Sequence, residues 1–111
     1  MPTYTDLMRG FDFGPWTVIP ERGLIRDGEN EHKIEPLVMD VFVVLASHGG
    51  EVVTKDQLIE EVWDGRPQTD DVITRCISAL RRGLGDDARQ PKDIETVQRR
   101  GYRVMLPVVT P

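Results

Sequence analysis

The sequence predicts a single α+β domain with an N-terminal antiparallel sheet, three helices and a C-terminal β-hairpin. Three observations lead there. Short extended stretches broken by turn residues fill positions 16 to 34. Three segments with apolar residues at helical spacing follow, each with its own start or stop signal. Two short β-rich runs then flank Gln98-Arg99-Arg100-Gly101. At 111 residues the chain suits one domain and leaves no room for two.

Taken in order, residues 1–12 are polar with scattered apolar positions and read as a frayed lead-in. Trp16-Thr17-Val18-Ile19, Leu24-Ile25-Arg26 and His32-Lys33-Ile34 read as strands. Pro20 to Gly23 and Asp27 to Glu31 separate them, and Asp27-Gly28 is a hairpin turn signal. Pro36 suits the first turn of a helix whose apolar face is Leu37, Val38, Val41, Phe42 and Leu45, stopped by Gly49-Gly50. Glu51-Val52-Val53 is a short strand or connector.

Thr54-Lys55-Asp56-Gln57 has the capping-box pattern and opens a second helix, with Leu58, Ile59, Val62 and Trp63 on its apolar side. Asp64-Gly65-Arg66-Pro67-Gln68 breaks it. Thr69 can cap a third helix, and Asp70 and Asp71 suit its positive N-terminal end. That helix runs to about Leu84 on a stripe of Ile73, Ile77, Leu80 and Leu84, with Cys76 at its edge and Gly85-Asp86-Asp87 at its end. Ile94 to Val97 and Tyr102 to Met105 form the hairpin, and residues 106–111, with two prolines, read as the start of a linker. The functional domain is thus expected over residues 13–105. Helix, loop and helix followed by a basic hairpin is the layout of a winged helix-turn-helix.

Charge narrows the function. The net charge of -5 argues against nucleic acid, but it is unevenly spread. Residues 1–69 carry 6 basic and 13 acidic side chains, and residues 70–111 carry 8 and 6. A basic face neutralises phosphate locally, whatever the total. On a wheel of about 100° per residue, Arg75 and Arg82 fall opposite Ile73, beside Asp71, Thr74, Ser78 and Ala79. Arg can donate two hydrogen bonds to guanine, Thr and Ser can bond bases or phosphates, and Ala lets the backbone approach. Arg99, Arg100 and Arg103 cluster at the hairpin turn, where three guanidinium groups repel one another unless an anion relieves them. The expectation is sequence-specific binding of double-stranded DNA; the alternative is a protein-interaction module on the same scaffold.

Other chemistry has little to stand on. His32, His48 and Cys76 lack the spacing of a metal site, which needs about four ligands, and no cofactor is expected. Cys76 reads as a buried small side chain, and Asp86-Asp87 as turn chemistry, so no enzyme is expected. The longest apolar run, Val41 to Ala46, is far too short to span a bilayer, and residues 1–10 lack the regions of a signal peptide. The segment is expected to make no membrane contact and to work in the cytoplasm.

Glu95-Thr96-Val97-Gln98-Arg99-Arg100-Gly101-Tyr102-Arg103 resembles the wing of OmpR/PhoB-type transcriptional regulators. Leu80-Arg81-Arg82-Gly83-Leu84 resembles the end of their recognition helix, and Val52 to Leu58 with Val62-Trp63 their preceding helix. Asp70-Asp71, Leu84-Gly85-Asp86-Asp87 and the run from Pro91 to Tyr102 resemble the CadC/ToxR-like branch. The similarity covers about residues 13–105. It implies a bacterial-type transcription regulator in which Thr74, Arg75, Ser78 and Arg82 face the major groove. Arg99, Arg100 and Arg103 would lie on the adjacent minor groove or backbone. Asp64, Gly65, Arg66, Pro67 and Gln68 match the loop that in the family touches RNA polymerase. The resemblance also implies homodimers on tandem DNA sites. Branch members place this domain first, before a linker and often a membrane helix and sensor domain, so it further implies the cytoplasmic part of a membrane-anchored regulator.

Overall fold

Regular structure begins earlier than the sequence led us to expect. The computed structural model describes residues 3–111, and Tyr4–Met8 already form a helix, α1. Thr3 caps it: its hydroxyl accepts from the Asp6 N–H at 3.2 Å, and the Asp6 carboxylate accepts from the Thr3 N–H at 3.1 Å. Leu7 is fully buried. From residue 3 on, the expected frayed lead-in is therefore ordered, because Leu7 and then Phe11 enter the core. Among the described residues there is one α-helix more than the sequence suggested.

The N-terminal sheet is antiparallel throughout. It contains β1 (Phe11–Phe13), β2 (Trp16–Ile19), β3 (Leu24–Asp27) and β4 (Asn30–Lys33), with a 3₁₀ turn at Pro20–Arg22. Phe11, Phe13, Trp16, Val18 and Ile25 point inward, while Asp12 and Thr17 point out, as the two-residue period requires. Asp27 pairs with Asn30 across the turn that Gly28 opens with a φ of 61°. The fourth strand starts two residues before the expected His32.

The C-terminal tail is the second difference. Val108–Val109 form a strand, β8, on the free edge of β1, giving the order β4-β3-β2-β1-β8. Residues 106–111 thus include a paired strand where a linker was expected. Two valines between Pro107 and Pro111 carry too little pattern to announce a strand; the open edge beside Phe13 recruits them.

Helix α2 (Pro36–Ser47) starts with Pro36 at its first position and is buried from Val38 to Ala46, apart from Asp40. Phe42 receives Phe11 and Phe13 edge-on, at centroid distances of 5.6 and 5.1 Å. A second sheet of order β5-β7-β6 joins β5 (Val53–Thr54) to the hairpin of β6 (Ile94–Val97) and β7 (Gly101–Val104). Helices α3 (Lys55–Trp63) and α4 (Asp70–Leu84) lie between them in sequence. One continuous core links both sheets and all four helices, so the α+β architecture with a hairpin wing stands.

Candidate nucleic-acid interface

Helix α4 is two-faced. Ile73, Cys76, Ile77, Leu80 and Leu84 are buried against α2 and the sheets, while Asp71, Thr74, Arg75, Ser78 and Arg82 are exposed. Ala79 is half-buried. Thr69 caps the helix by accepting from the Val72 N–H at 3.4 Å, and Gly85 ends it in the left-handed region at a φ of 69°. Neither Arg75 nor Arg82 takes part in an ion pair among the described residues. Two uncompensated guanidinium groups therefore stand on the outer face, as the wheel predicts.

Helices α3 and α4 both pack on α2, and α3 is fixed at its start. The Thr54 hydroxyl accepts from the Gln57 N–H at 3.0 Å, and the Gln57 side chain accepts from the Thr54 N–H at 2.8 Å. The capping box read from the sequence is thus present. Lys55 then reaches across to Asp70 at 3.4 Å, joining the first turns of α3 and α4. Between the helices, Asp64 and Gly65 take left-handed φ values of 53° and 79°. The Gly65 N–H bonds back to Ile59 at 3.0 Å and the Arg66 N–H to Trp63 at 3.0 Å. Asp64, Gly65, Arg66 and Pro67 are exposed and Gln68 is half-buried, so this loop presents a fixed surface.

The wing departs from the expected cluster of three free arginines. Arg99 and Arg100 are exposed at the turn and lie in no ion pair among the described residues, with Arg99 in the left-handed region at a φ of 65°. Arg103 instead pairs with Glu95, its cross-strand partner in register, and is half-buried. Opposite charges directly across an antiparallel pair attract, and Glu95 relieves the repulsion that the sequence argument assigned to an outside anion. A groove of about 750 Å³ separates the turn from the start of α3, lined by Thr54, Lys55, Gln98, Arg99 and Arg100 among others.

Sequence reasoning missed what holds the wing to α4. Arg81 is buried, and its guanidinium donates to the Ile94 carbonyl at 2.8 Å and the Thr96 hydroxyl at 3.0 Å. Asp86, at 4.0 Å from Arg81 Nε, gathers the loop that returns to β6. Its carboxylate accepts from the N–H groups of Asp87 (3.0 Å), Lys92 (2.9 Å), Asp93 (3.3 Å) and Ile94 (2.9 Å). Burial pushes its pKa up, but those four N–H bonds outweigh it and hold the carboxyl below the usual range. Asp93 is also buried; desolvation first, and then the charge of Asp86, raises its pKa. The only sequence signal for this cluster is Asp86 beside the Gly85 helix stop, and it points to a turn rather than to Arg81.

The remaining candidates are engaged elsewhere. His48 meets Glu61 at 3.0 Å, and His32 lies edge-on to Trp16 at 5.9 Å. Cys76 is buried, and loss of solvent raises its thiol pKa. Among the described residues no helix is long and apolar enough to cross a membrane.

Residues 29–104 match the family described as transcriptional regulatory protein, C terminal. The chain is 40% identical over 97 residues to the transcriptional activator CadC of Escherichia coli (strain K12), covering 86% of this chain and 19% of that protein. It therefore spans about a fifth of that relative's length. Among solved structures, the DNA-binding domain of E. coli CadC superposes with a TM-score of 0.82 at 37% identity, over 92% of this chain and 96% of that one. The Klebsiella pneumoniae RstA DNA-binding domain in complex with RstA box gives a TM-score of 0.76 at 27% identity, over 86% and 96%.

Proposed function

This chain belongs to the transcriptional regulatory protein C-terminal family, and from that premise we propose that it binds duplex DNA sequence-specifically, as a transcription regulator's recognition module. The family consists of DNA-binding transcription factor domains, not enzymes. Helix α4 enters the major groove with Thr74, Arg75, Ser78 and Arg82, and Arg99 and Arg100 lie on the adjacent minor groove or backbone. Arg103, held by Glu95, stays on the wing but contributes less. The DNA-binding unit runs from α1 to β8, wider than residues 13–105. One observation carries this reading: among the exposed arginines that enter no ion pair within the described residues, two share the outer face of α4 and two the wing turn, in a chain that is acidic overall.

The finer assignments rest on the same frame. The loop Asp64–Gln68 suits contact with RNA polymerase, because backbone hydrogen bonds hold it while Asp64 to Pro67 stay exposed. Two copies on tandem sites would add their affinities through the DNA. The module would act in the cytoplasm, where bacterial duplex DNA is reached, as part of a longer regulator. Amide chemical-shift mapping with promoter duplexes tests the reading. It predicts shifts concentrated on Thr74 to Arg82 and Gln98 to Gly101. Shifts absent at both places, with a protein partner perturbing another face, would establish an interaction module instead.

A further inference from the structure

One residue on the outer face of α4 has the wrong sign for a polyanion. Asp71, Arg75, Ser78 and Arg82 succeed one another at four-, three- and four-residue steps, so they share one side of the helix, and all four are exposed. In the DNA-binding reading, on which this inference rests, the Asp71 carboxylate is carried into the groove beside two guanidinium groups. It then repels every phosphate it approaches.

The ordinary reasons for an acid at this position are met by its neighbours. Thr69 supplies the cap, accepting from the Val72 N–H. Asp70 supplies the link to α3 through Lys55 and already places one negative charge at the helix N-terminus. Asp71 enters no ion pair and no side-chain hydrogen bond among the described residues, not even with Arg75 one turn on.

We propose that Asp71 is a specificity-determining residue whose carboxylate accepts a hydrogen bond from the N4 amino group of a cytosine. An ionised carboxylate only accepts, and the major groove offers donors only at cytosine N4 and adenine N6. Adenine sets its N7 acceptor beside that donor, so the second carboxylate oxygen would face a lone pair. Guanine O6 and N7 and thymine O4 are acceptors and repel it. Cytosine alone satisfies the carboxylate without a clash. The same charge lowers affinity for all other duplexes, so Asp71 gains discrimination at the expense of binding strength, the reverse of an arginine contact.

Selection from a randomised duplex library, run in parallel on the native chain, Asp71→Asn and Asp71→Ala, tests this. Thermal melts establish that both variants are folded. Asn pairs with adenine N6 and N7. Asp71→Asn should therefore switch one base pair from cytosine to adenine, by about tenfold in relative affinity. Asp71→Ala should accept all bases at that pair and bind unselected duplex several-fold more tightly. If all three proteins select the same sequence, the proposal is overturned and DNA binding stands; a lower melting temperature with that result assigns Asp71 to the helix dipole. If the native chain binds no duplex, the DNA-binding reading falls and the proposal with it.

Discussion

Arg75 and Arg103 show how local charge divides residues that the sequence presents alike. Arg75 is exposed and has no ion-pair partner among the described residues, so it remains available to a base edge. Arg75→Ala should weaken binding to the preferred site by roughly 1–3 kcal/mol and relax the preference at one position. Titrations on matched and mismatched duplexes measure it, and an unchanged site preference would remove Arg75 from base readout. Asp86 and Asp93 give the pH dependence. In the unfolded chain both carboxyls start from 3.8. Asp86 is shifted down, so its stabilising effect is full above that value and is lost as pH falls through its folded pKa. Asp93 is shifted up, so its contribution is full below that value and is lost as pH rises through its folded pKa. Asp86→Asn should thus lower the melting temperature at neutral pH and far less in strong acid, whereas Asp93→Asn should be best tolerated at neutral pH. Melts across pH check both, and a loss for Asp86→Asn that is independent of pH would contradict the assignment.

Among elements, the wing depends on one close approach. A Cβ at Gly101 would lie 2.0 Å from the Val53 carbonyl oxygen, so β7 sits against β5 only because the side chain is absent. Gly101→Ala should cost about 1–3 kcal/mol or more, as overpacking does. Denaturant unfolding measures it, and a change below about 0.5 kcal/mol would mean that the two strands separate freely. What the sequence made legible at this scale was local. The Thr54–Gln57 box, the α4 stripe and the hairpin all announce themselves within a dozen residues. The outer ring of the site was legible for the same reason, because exposure of Thr74, Arg75, Ser78 and Arg82 follows from the helical period alone. What stayed hidden depends on distant partners. α1 is too short to show a period, β8 exists only because β1 leaves an edge, and Arg81 lies on the flank of its stripe until β6 supplies a carbonyl. The Glu95–Arg103 pair was hidden in the same way, since it needs the hairpin register to be seen.

Across the whole molecule, the ends of the chain close the structure around α2. Leu7 fills the core from α1 and β8 covers the edge of β1, so residues near both ends stabilise the fold that carries α4 and the wing. Leu7→Ala should cost about 2–5 kcal/mol, the range for a fully buried leucine, and unfolding by denaturant would reveal a smaller loss if α1 merely rested on the surface. Charge matters on the same scale: in an acidic chain, Arg75 with Arg82 on α4 and Arg99 with Arg100 on the wing are exposed in pairs and enter no ion pair among the described residues. The central claim is that these two elements together engage duplex DNA. It is tested most directly by a salt titration of duplex binding with the native chain and with Arg99→Ala/Arg100→Ala, leaving the Glu95–Arg103 pair intact. Each lost phosphate contact changes the slope of log affinity against log salt by about 0.9. The account predicts steep salt dependence for the native chain and a slope shallower by about two in the variant; identical slopes, or no binding by the native chain at low salt, would contradict it.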